Sequence, residues 1–287
     1  MHIAEIHRYP VKSMLGEARR SAYLTVDGIP GDRAWALRDE TRGELTGAKK
    51  HPRLMSMTAR FLREPDVATR SPPVRITDGR GLDVTTNDGD MDANLSERLG
   101  HPVSLWPLLP AEELSHYRRG ALPAGSDVGA TLRALFGRTE DEPLPDLSRF
   151  PEVLATHHSP PGTYFDAYPL LIMTRSSLDA LAAAAAASGI GSSFDLRRFR
   201  PNLLVETDEQ GFVENAWEGR RLRAGAAELA VEMPCPRCIM TTHAFLDVPR
   251  DPKVMRALVR HNGGNLGVYA SVVREGRVEV GDLIEVI

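Results

Sequence analysis

Turn-forming residue pairs interrupt the first third of the chain at short intervals: Asp27-Gly28, Pro30-Gly31, Asp78-Gly79 and Asp88-Gly89. The segments between these turns are short and apolar enough to be strands. We expect strands over residues 3–9, 22–26, 33–37, 55–61, 74–76, 82–84 and 103–106, with one short helix over 93–99. Many short strands separated by turns favour a barrel or a sandwich over parallel β-α-β units.

The middle of the chain is rich in proline. Nine of the 21 prolines lie between Pro107 and Pro169. Because proline lacks an amide hydrogen, few regular strand ladders can form there, although a helix over 130–136 fits between the prolines. We place a domain boundary in this stretch, which gives domains over residues 1–120 and 121–287. The alternative is a long surface excursion within one domain.

The second half mixes strands and helices. Residues 169–173 form an apolar run of strand length, and Thr174 to Ser177 can cap the helix expected over 178–188. Six alanines favour that helix and Gly189 ends it. Further strands are expected over 202–206 and 228–232, a helix over 253–260, and a closing hairpin of 267–273 with 277–280. The expected fold class is therefore mainly β with added α-helices.

Charge and composition exclude several classes of protein. The formal net charge is −4, so no overall positive field attracts nucleic acid or anionic lipid, and an anion site must be a local cluster. No apolar run approaches the ~20 residues of a membrane helix, and the start of the chain lacks the pattern of a secretory signal. Two cysteines exclude a disulfide scaffold. We expect a cytoplasmic protein without nucleic-acid or membrane partners.

Both cysteines lie in one loop, Met233-Pro234-Cys235-Pro236-Arg237-Cys238. A zinc site would need about four ligands, and this loop supplies two. A redox pair would need a thioredoxin-like context that is missing here. A single thiolate, that of Cys238 stabilised by the neighbouring Arg237, could instead bind a soft metal. Two inert buried cysteines are the remaining alternative.

Basic residues occur in three further motifs. Lys12-Ser13 follows the first strand and offers a cation and a hydroxyl, which suit a phosphate. Arg33 follows Gly31-Asp32, and the third motif holds Arg197, Arg198 and Arg200. Arginines clustered in an acidic chain could face a polyanionic ligand or form a solvated surface.

Taken in order, these motifs resemble one family, the MOSC (molybdenum cofactor sulfurase C-terminal) proteins. The chain is most similar to the subgroup with an N-terminal MOSC β-barrel domain, which includes the mitochondrial amidoxime-reducing component and its bacterial relatives. The matching segments are Tyr9-Pro10-Val11-Lys12-Ser13, Gly31-Asp32-Arg33-Ala34-Trp35, Phe199-Arg200-Pro201-Asn202, Arg237-Cys238-Ile239-Met240-Thr241-Thr242, and Gly267-Val268-Tyr269 through Val280-Gly281-Asp282. The resemblance implies an N-terminal β-barrel followed by a C-terminal MOSC β-barrel flanked by helices.

The resemblance also implies a molybdenum–molybdopterin cofactor. By this resemblance Cys238 is the metal ligand and catalytic residue, whereas Cys235 matches no ligand position. The cofactor's phosphate and pterin would be bound by a group of basic and polar residues, namely Lys12, Ser13, Arg33, Thr174, Arg175, Ser176, Arg200, Asn202 and Arg237. The chain departs from the family pattern at Asn215, where an acidic residue is common, so that Glu214 would have to replace it in any proton relay.

The function implied by the resemblance is the reduction of N-hydroxylated compounds (N–OH to N–H). The chain shows no flavin, haem or iron–sulfur motif, so a separate ferredoxin or flavin reductase would have to supply the electrons. The alternative function is a sulfur carrier, in which Cys238 holds a persulfide for metal–sulfur cluster or molybdenum cofactor maturation. A third possibility is a thiol oxidoreductase that uses both cysteines.

Overall fold

Short strands dominate the regular structure, as the turn residues predict. The computed structural model describes residues 1–66 and 69–287, which contain 16 strands and five α-helices. The strands are β1 (His2–Arg8), β2 (Glu17–Arg19), β3 (Ser21–Leu24), β4 (Trp35–Asp39), β5 (Glu44–Thr46), β6 (Thr58–Phe61), β7 (Val74–Thr77), β8 (Asp83–Thr85), β9 (Val103–Pro107), β10 (Leu170–Thr174), β11 (Leu203–Glu206), β12 (Arg221–Ala224), β13 (Ala227–Pro236), β14 (Asn265–Arg274), β15 (Gly276–Glu279) and β16 (Ile284–Val286). The helices are α1 (Met91–Leu99), α2 (Leu114–Tyr117), α3 (Val128–Phe136), α4 (Arg175–Ala187) and α5 (Lys253–Asn262). Short 3-10 helices span Pro52–Ser56, Leu147–Arg149, Glu152–Ala155, Leu196–Arg198, Val213–Trp217 and Ile239–Thr242.

The largest sheet contains strands from both ends of the chain. Its order is β16-β12-β13-β14-β10-β11-β1-β2. The pairing is antiparallel except between β10 and β11. The first strand lies inside this sheet, because β1 pairs with β11 through Ile3 opposite Val205 and Ile6 opposite Leu203. The N-terminal strand is therefore an integral part of the C-terminal sheet.

The strand pairing shows a large, mainly antiparallel sheet with flanking helices. β16 and β2 are the two ends of the strand order, and one isolated bridge, His2 with Leu283, connects β1 to the segment before β16. Three smaller sheets have the orders β15-β3, β5-β4-β9 and β6-β7-β8. The mixed fold class is confirmed, whereas the two closed barrels and the boundary at residue 120 stay predictions.

The predicted closing hairpin is wrong. β14 pairs with β13 on one edge and with β10 on the other. The β10 pairing reaches only Val268–Ala270, so the strand end at Ser271–Arg274 is paired on the β13 edge alone. β15 pairs instead with β3, where Arg277 lies opposite Tyr23. Sequence adjacency suggested a hairpin, but the partner of β15 is the distant β3.

The capping residue Thr174 makes α4 begin three residues earlier than the expected start at residue 178. The side chain of Thr174 accepts a hydrogen bond from the Ser177 amide at 3.0 Å, so α4 begins at Arg175. This cap satisfies one of the amide groups left free at a helix start. By contrast, the strand expected over 55–61 begins only at Thr58, because Pro52 opens a 3-10 helix that runs to Ser56.

The hydrophobic core consists of clusters that draw on both halves of the chain. The cluster beneath the small N-terminal sheets includes Phe245 and Val248, and the cluster beneath the large sheet includes Ile3 and Ile6. A third cluster joins α4 and α5. Within the described residues, every helix is too short or too polar to cross a bilayer. Because the two halves exchange core residues, side chains from both can meet at one site.

Candidate functional site

A basic cavity of about 110 Å³ lies between the two halves of the chain. Five of the predicted site residues line it: Arg33, Arg200, Asn202, Arg237 and Cys238. The wall carries five basic side chains, which are Arg33, Lys49, Arg198, Arg200 and Arg237, against the single carboxylate of Asp166. This excess of positive charge is local in a chain of net charge −4, and it suits an anionic ligand.

Left-handed backbone marks three of the predicted site residues. Ser13, Arg33 and Arg200 have φ angles of 74°, 52° and 57°, and Leu246 is the fourth non-glycine residue with positive φ in the described ranges. Such backbone costs roughly 1–3 kcal/mol per residue and persists where the surroundings impose it, often at functional sites. The strain is thus concentrated where the motifs place the site.

Tyr9 forms an aromatic platform for two of the arginines. The guanidinium of Arg200 lies 4.2 Å from its ring centroid and that of Arg33 lies 5.3 Å away. The Tyr9 hydroxyl donates to the Pro201 carbonyl at 3.0 Å, and its amide donates to Asp32 Oδ1 at 2.7 Å. Asp32 also forms an ion pair with Arg33. One ring therefore positions cations from both halves of the chain.

Arg200 has an unused hydrogen-bond donor. Its Nη1 donates to the Met14 carbonyl, but its Nη2 is buried and has no partner. Burial lowers the pKa of Arg200 to about 10, and the nearby Arg33 acts in the same direction. Buried polar atoms are nearly always paired, and an unpaired one costs about 1–3 kcal/mol. An anion in the cavity would supply the missing acceptor.

Asn202 holds the strands beside the cavity together. Its Oδ1 accepts a hydrogen bond from the Leu171 amide at 3.1 Å, and its Nδ2 donates to the His7 carbonyl at 3.2 Å. These bonds connect β1 and β10 next to β11. Arg33 Nη1 also lies 3.5 Å from Asn202 Oδ1. Asn202 therefore orients the wall of the cavity as well as lining it.

The two cysteines have different environments. Cys235 is 2% exposed, and burial raises the pKa of its thiol. Arg237 Nη1 donates to Cys235 Sγ at 3.0 Å, and its Nη2 donates to the Phe199 carbonyl. The guanidinium of Arg237 is thus bonded to Cys235 and not to Cys238, contrary to the expected pairing. Cys238 stays half-buried at the start of the Ile239–Thr242 helix, so it is the more accessible thiol.

Lys12 and Ser13 lie behind the cavity wall. Lys12 Nζ donates to the Tyr164 carbonyl at 2.9 Å and lies 3.1 Å from Asp166 Oδ1. The Ser13 hydroxyl accepts a hydrogen bond from the Ala48 amide at 2.9 Å, in the turn that carries Lys49. These two residues hold the segments that present Asp166 and Lys49 to the cavity.

Thr174, Arg175 and Ser176 lie at the start of α4, outside the cavity lining. Thr174 caps the helix, and Ser176 Oγ donates to the Gly211 carbonyl at 3.0 Å. Arg175 forms ion pairs with Glu5 and Glu206 at 2.8 and 3.1 Å. The structure does not bring these three residues to Cys238, and their predicted contact with a cofactor stays untested.

The carboxyl group of Glu214 is buried beneath the start of α4. It accepts hydrogen bonds from the hydroxyls of Thr174 and Ser177, and burial raises its pKa. The neighbouring Asn215 donates to Asn262 Oδ1 at 2.7 Å. Neither residue lines the cavity, so both act on the packing of α4 and α5.

Comparison with known domain families decides the family. The model of the MOSC domain matches residues 156–285, and that of the MOSC N-terminal beta barrel domain matches residues 1–99. The chain is a MOSC-domain protein that also carries the MOSC N-terminal beta barrel domain. The resemblance read from the five motifs is thereby confirmed.

Relatives of this MOSC protein match over almost its whole length. Mitochondrial amidoxime-reducing component 1 of Xenopus laevis is 26% identical, and the match covers 98% of this chain and 80% of the relative. Mitochondrial amidoxime reducing component 2 of Homo sapiens is 27% identical over 98% of this chain and 82% of its own. These proteins are named for amidoxime reduction.

Solved structures of low similarity are also found. The YuaD protein from Bacillus subtilis covers 99% of this chain and 94% of its own, with 15% identity and a TM-score of 0.43. YiiM from Geobacillus stearothermophilus covers 42% of this chain with 18% identity and a TM-score of 0.32, and the match spans about half of YiiM (54%).

Two charged cavity residues of this MOSC protein, Lys49 and Asp166, were missed by the sequence analysis. Lys49 lies within the region matched by the MOSC N-terminal beta barrel model, where the pair Lys49-Lys50 is the only signal. Asp166 lies near the end of the proline-rich stretch and belongs to none of the five motifs. Although burial opposes it, the charges of Lys12, Lys49 and Arg33 lower the pKa of Asp166, so it is ionised at neutral pH.

A second, larger cavity, the apolar cavity, adjoins the basic one and takes its name from a patch of leucines. Its volume is about 600 Å³, and it shares Lys49, Phe136, Phe150 and Asp166 with the basic cavity. Its wall includes the apolar residues Leu132, Leu135, Leu147, Leu154 and Ala155, together with the polar residues Arg119, Glu152 and His158. Most of this wall comes from residues 100–155, which neither domain model matches. The proline-rich stretch thus forms a wall next to Cys238.

Proposed function

We propose that this MOSC protein binds a molybdenum cofactor in the basic cavity and reduces N-hydroxylated compounds, converting N–OH to N–H. The observation that carries the proposal is the unpaired, buried nitrogen of Arg200 in the same cavity as the half-buried thiol of Cys238. A ligand suited to both groups carries an anion and a thiophilic metal. A molybdenum–molybdopterin cofactor with its phosphate has both features, and the relatives named for amidoxime reduction support this assignment.

The chemistry of the cavity residues fits such a cofactor. A phosphate monoester carries about −1.5 to −2 charges at pH 7 and accepts several charge-assisted hydrogen bonds. Arg200 Nη2 is a donor without a partner, and Arg33 presents a guanidinium on the same Tyr9 platform. These two residues would bind the phosphate, and Asn202 would orient the wall between them. The volume of about 110 Å³ accommodates the anionic end of the cofactor, so the remainder must extend into adjoining space.

Cys238 would provide the protein's sulfur ligand to the metal. Cys235 is closed off by burial and by its bond from Arg237. That bond, together with the bond from Arg237 to the Phe199 carbonyl, fixes the loop that carries Cys238. When bound, the molybdenum would supply the two-electron chemistry that removes the oxygen of the N–OH group. The protein's share is binding, orientation and electrostatics.

The substrate would lie between the two cavities. Asp166 is shared by both and is ionised at neutral pH, so it would accept a hydrogen bond from the substrate's N–H or N–OH group. The apolar cavity of Leu132 and Leu135 would then bind an apolar body attached to that group. We therefore propose aromatic or aliphatic N-hydroxylated substrates, with electrons supplied by a separate ferredoxin or flavin reductase.

The test uses the full chain purified from a host supplied with molybdate. Molybdenum content and benzamidoxime reduction with an artificial electron donor are measured for the wild type, Cys238→Ala and Cys235→Ala. We expect about one molybdenum per wild-type chain, loss of metal and activity in Cys238→Ala, and retention of both in Cys235→Ala. Equal metal in the wild type and Cys238→Ala would overturn the ligand assignment.

The same preparation distinguishes the carrier and redox alternatives. An intact mass raised by one sulfur atom on Cys238, without molybdenum, would favour a persulfide carrier. Equal loss of activity in Cys235→Ala and Cys238→Ala would favour a thiol oxidoreductase, because disulfide exchange needs both sulfurs. Either result would contradict the proposed reductase.

A further inference from the structure

Two histidines and an aspartate meet in the N-terminal half, away from the basic cavity. Asp39 is the last residue of β4, His51 precedes the Pro52–Ser56 helix, and His101 lies between α1 and β9. One ligand atom from each, a carboxylate oxygen or a ring nitrogen, lies within 4.8 Å of the other two. The two imidazole rings have centroids 5.1 Å apart. Three separate segments thus direct metal-ligating atoms at one point.

One ring nitrogen of His51 lacks a hydrogen-bond partner at this point. Nε2 of His51 is buried and unpaired, and Nε2 of His101 lies 2.9 Å from Asp39 Oδ1 in an ion-pair contact. Because buried polar atoms are nearly always satisfied, the unpaired His51 nitrogen beside this contact calls for a missing partner. A cation that accepts lone pairs from both nitrogens and from the carboxylate is such a partner.

The carboxylate is already oriented by the backbone. Asp39 is 3% exposed, and its Oδ1 accepts hydrogen bonds from the amides of Thr41 and Arg42 at 3.0 and 3.1 Å. Lys50, the neighbour of His51, is turned away and lies 3.0 Å from Glu44. Lys50 therefore does not compete with the histidines for the Asp39 carboxylate. Asp39 is held as a fixed ligand to which the two histidines can adjust.

We propose that Asp39, His51 and His101 bind a divalent transition-metal ion of the zinc class, with water as the fourth ligand. Two imidazoles and one carboxylate are a donor set that suits zinc and cobalt. Ligand atoms about 2.0–2.1 Å from a tetrahedral ion lie roughly 3.3 Å from one another. The three ligand atoms here are up to 4.8 Å apart, so each pair must approach by up to about 1.5 Å. Side-chain rotation of the half-buried histidines can supply this movement.

The ion would brace the turn that serves the basic cavity. His51 ends the turn of residues 47–51, which also carries Lys49. The Ser13 hydroxyl accepts from the Ala48 amide on the opposite side of this turn. An ion bound by His51, by Asp39 of β4 and by His101 before β9 would hold the other side of this turn. The site is thus structural, and it stands independently of the function proposed for Cys238.

The test is a cobalt and zinc titration of the full chain. Cys238→Ala serves as the background, so that its thiol does not contribute to metal binding, and the protein is first dialysed against a chelator. We expect one equivalent of Co²⁺ to bind with visible absorption bands, zinc to displace it, and the Tm to rise. Asp39→Asn, His51→Gln and His101→Gln should each weaken binding at least tenfold, whereas His2→Gln, at an exposed histidine, should leave it unchanged.

Circular dichroism of each variant confirms that it is folded before metal is added. Absence of Co²⁺ binding at 100 μM (about 5.5 kcal/mol) in the folded background protein would overturn the site. Binding that persists in all three ligand variants would do the same, since the metal would then be held elsewhere.

Discussion

The guanidinium of Arg200 lies 4.2 Å from the centre of the Tyr9 ring, so a residue that follows a short 3-10 helix of the second half contacts the residue directly after β1. Arg33 contacts the same ring at 5.3 Å. A cation over an aromatic face gains about 0.5–2 kcal/mol, more when it is desolvated. Two arginines of the basic cavity, one from each half of the chain, are therefore positioned against one shared side chain.

Replacing Tyr9 tests this platform. Tyr9→Phe keeps the ring and loses only the hydroxyl bond to Pro201, and we expect cofactor content close to that of the wild type. Tyr9→Leu removes the aromatic face, so we expect several-fold lower molybdenum content and a stability loss of about 1–3 kcal/mol. Metal analysis measures the molybdenum content, and urea denaturation measures the stability. Equal behaviour of the two variants would show that the ring face has no role.

Arg200 should matter more for binding than for stability. Arg200→Met removes a buried unpaired nitrogen, but it also removes the bond to the Met14 carbonyl and the contact with Tyr9. Because these effects oppose one another, we expect the stability of the cofactor-free chain to change by no more than about 1–3 kcal/mol. Cofactor retention should fall at least tenfold, because the anion loses its buried donor. Calorimetry of the cofactor-free chain and its molybdenum content after reconstitution measure the two effects. A variant that is clearly less stable yet still loaded would contradict this interpretation.

The apolar cavity predicts a substrate-dependent effect. Leu135→Asp places a charge in the wall beside Phe136, and we expect KM for benzamidoxime to rise about tenfold, since a leucine-sized contact contributes roughly 1.5–3 kcal/mol. Reduction of hydroxylamine, which has no apolar body, should change little. The matched control is Val128→Asp, at an exposed position of the same helix. Equal changes in KM for both substrates would exclude an apolar subsite here.

Glu44 connects the N-terminal half to the proline-rich stretch, and its titration makes the stability of the protein sensitive to acid. Although burial opposes the shift, hydrogen bonds from the Gly120 amide, His158 and Lys50 lower the pKa of Glu44 to about 2. Its folded pKa is below the unfolded value, so its stabilising contribution is present above about pH 4.5 and is lost as the pH falls towards 2. Burial lowers the pKa of His158 to about 4, and stability is therefore also lost between about pH 6.5 and 4.

The measurement is denaturant unfolding from pH 7 down to pH 3. The wild type should lose stability progressively across this range. Glu44→Gln should be less stable at pH 7 and should show a shallower loss below pH 4.5, because the titrating carboxyl is gone. Parallel curves for the two proteins would contradict the role of Glu44.

The motifs could be read from the sequence because each is local. Arg33, Arg200, Arg237 and Cys238 were predicted from short segments, and all four line the basic cavity. Asp166 and Lys49 could not be predicted in this way, since their place in the cavity depends on Lys12 and Ser13 more than thirty residues away in sequence. The same limit explains the wrong hairpin, because local patterns reveal strands and not that β15 pairs with the distant β3.

The thiols illustrate a second limit. Sequence proximity suggested that Arg237 serves Cys238, but its guanidinium contacts Cys235. The contact depends on β13, which extends to Pro236 and buries Cys235, and on the half-buried start of the next helix at Cys238. The capping segment of α4 was recognised from the sequence, although the helix begins at Arg175, three residues before the expected start.

β1 is synthesised long before its partner β11, Leu203–Glu206, with which it pairs antiparallel. Non-local pairing of this kind slows folding. Tyr9 follows directly on β1, so its contact with Arg200 can form only after residue 200 has been translated. A site that needs both side chains is therefore complete only late in synthesis, and loading of the proposed cofactor would be a post-translational event.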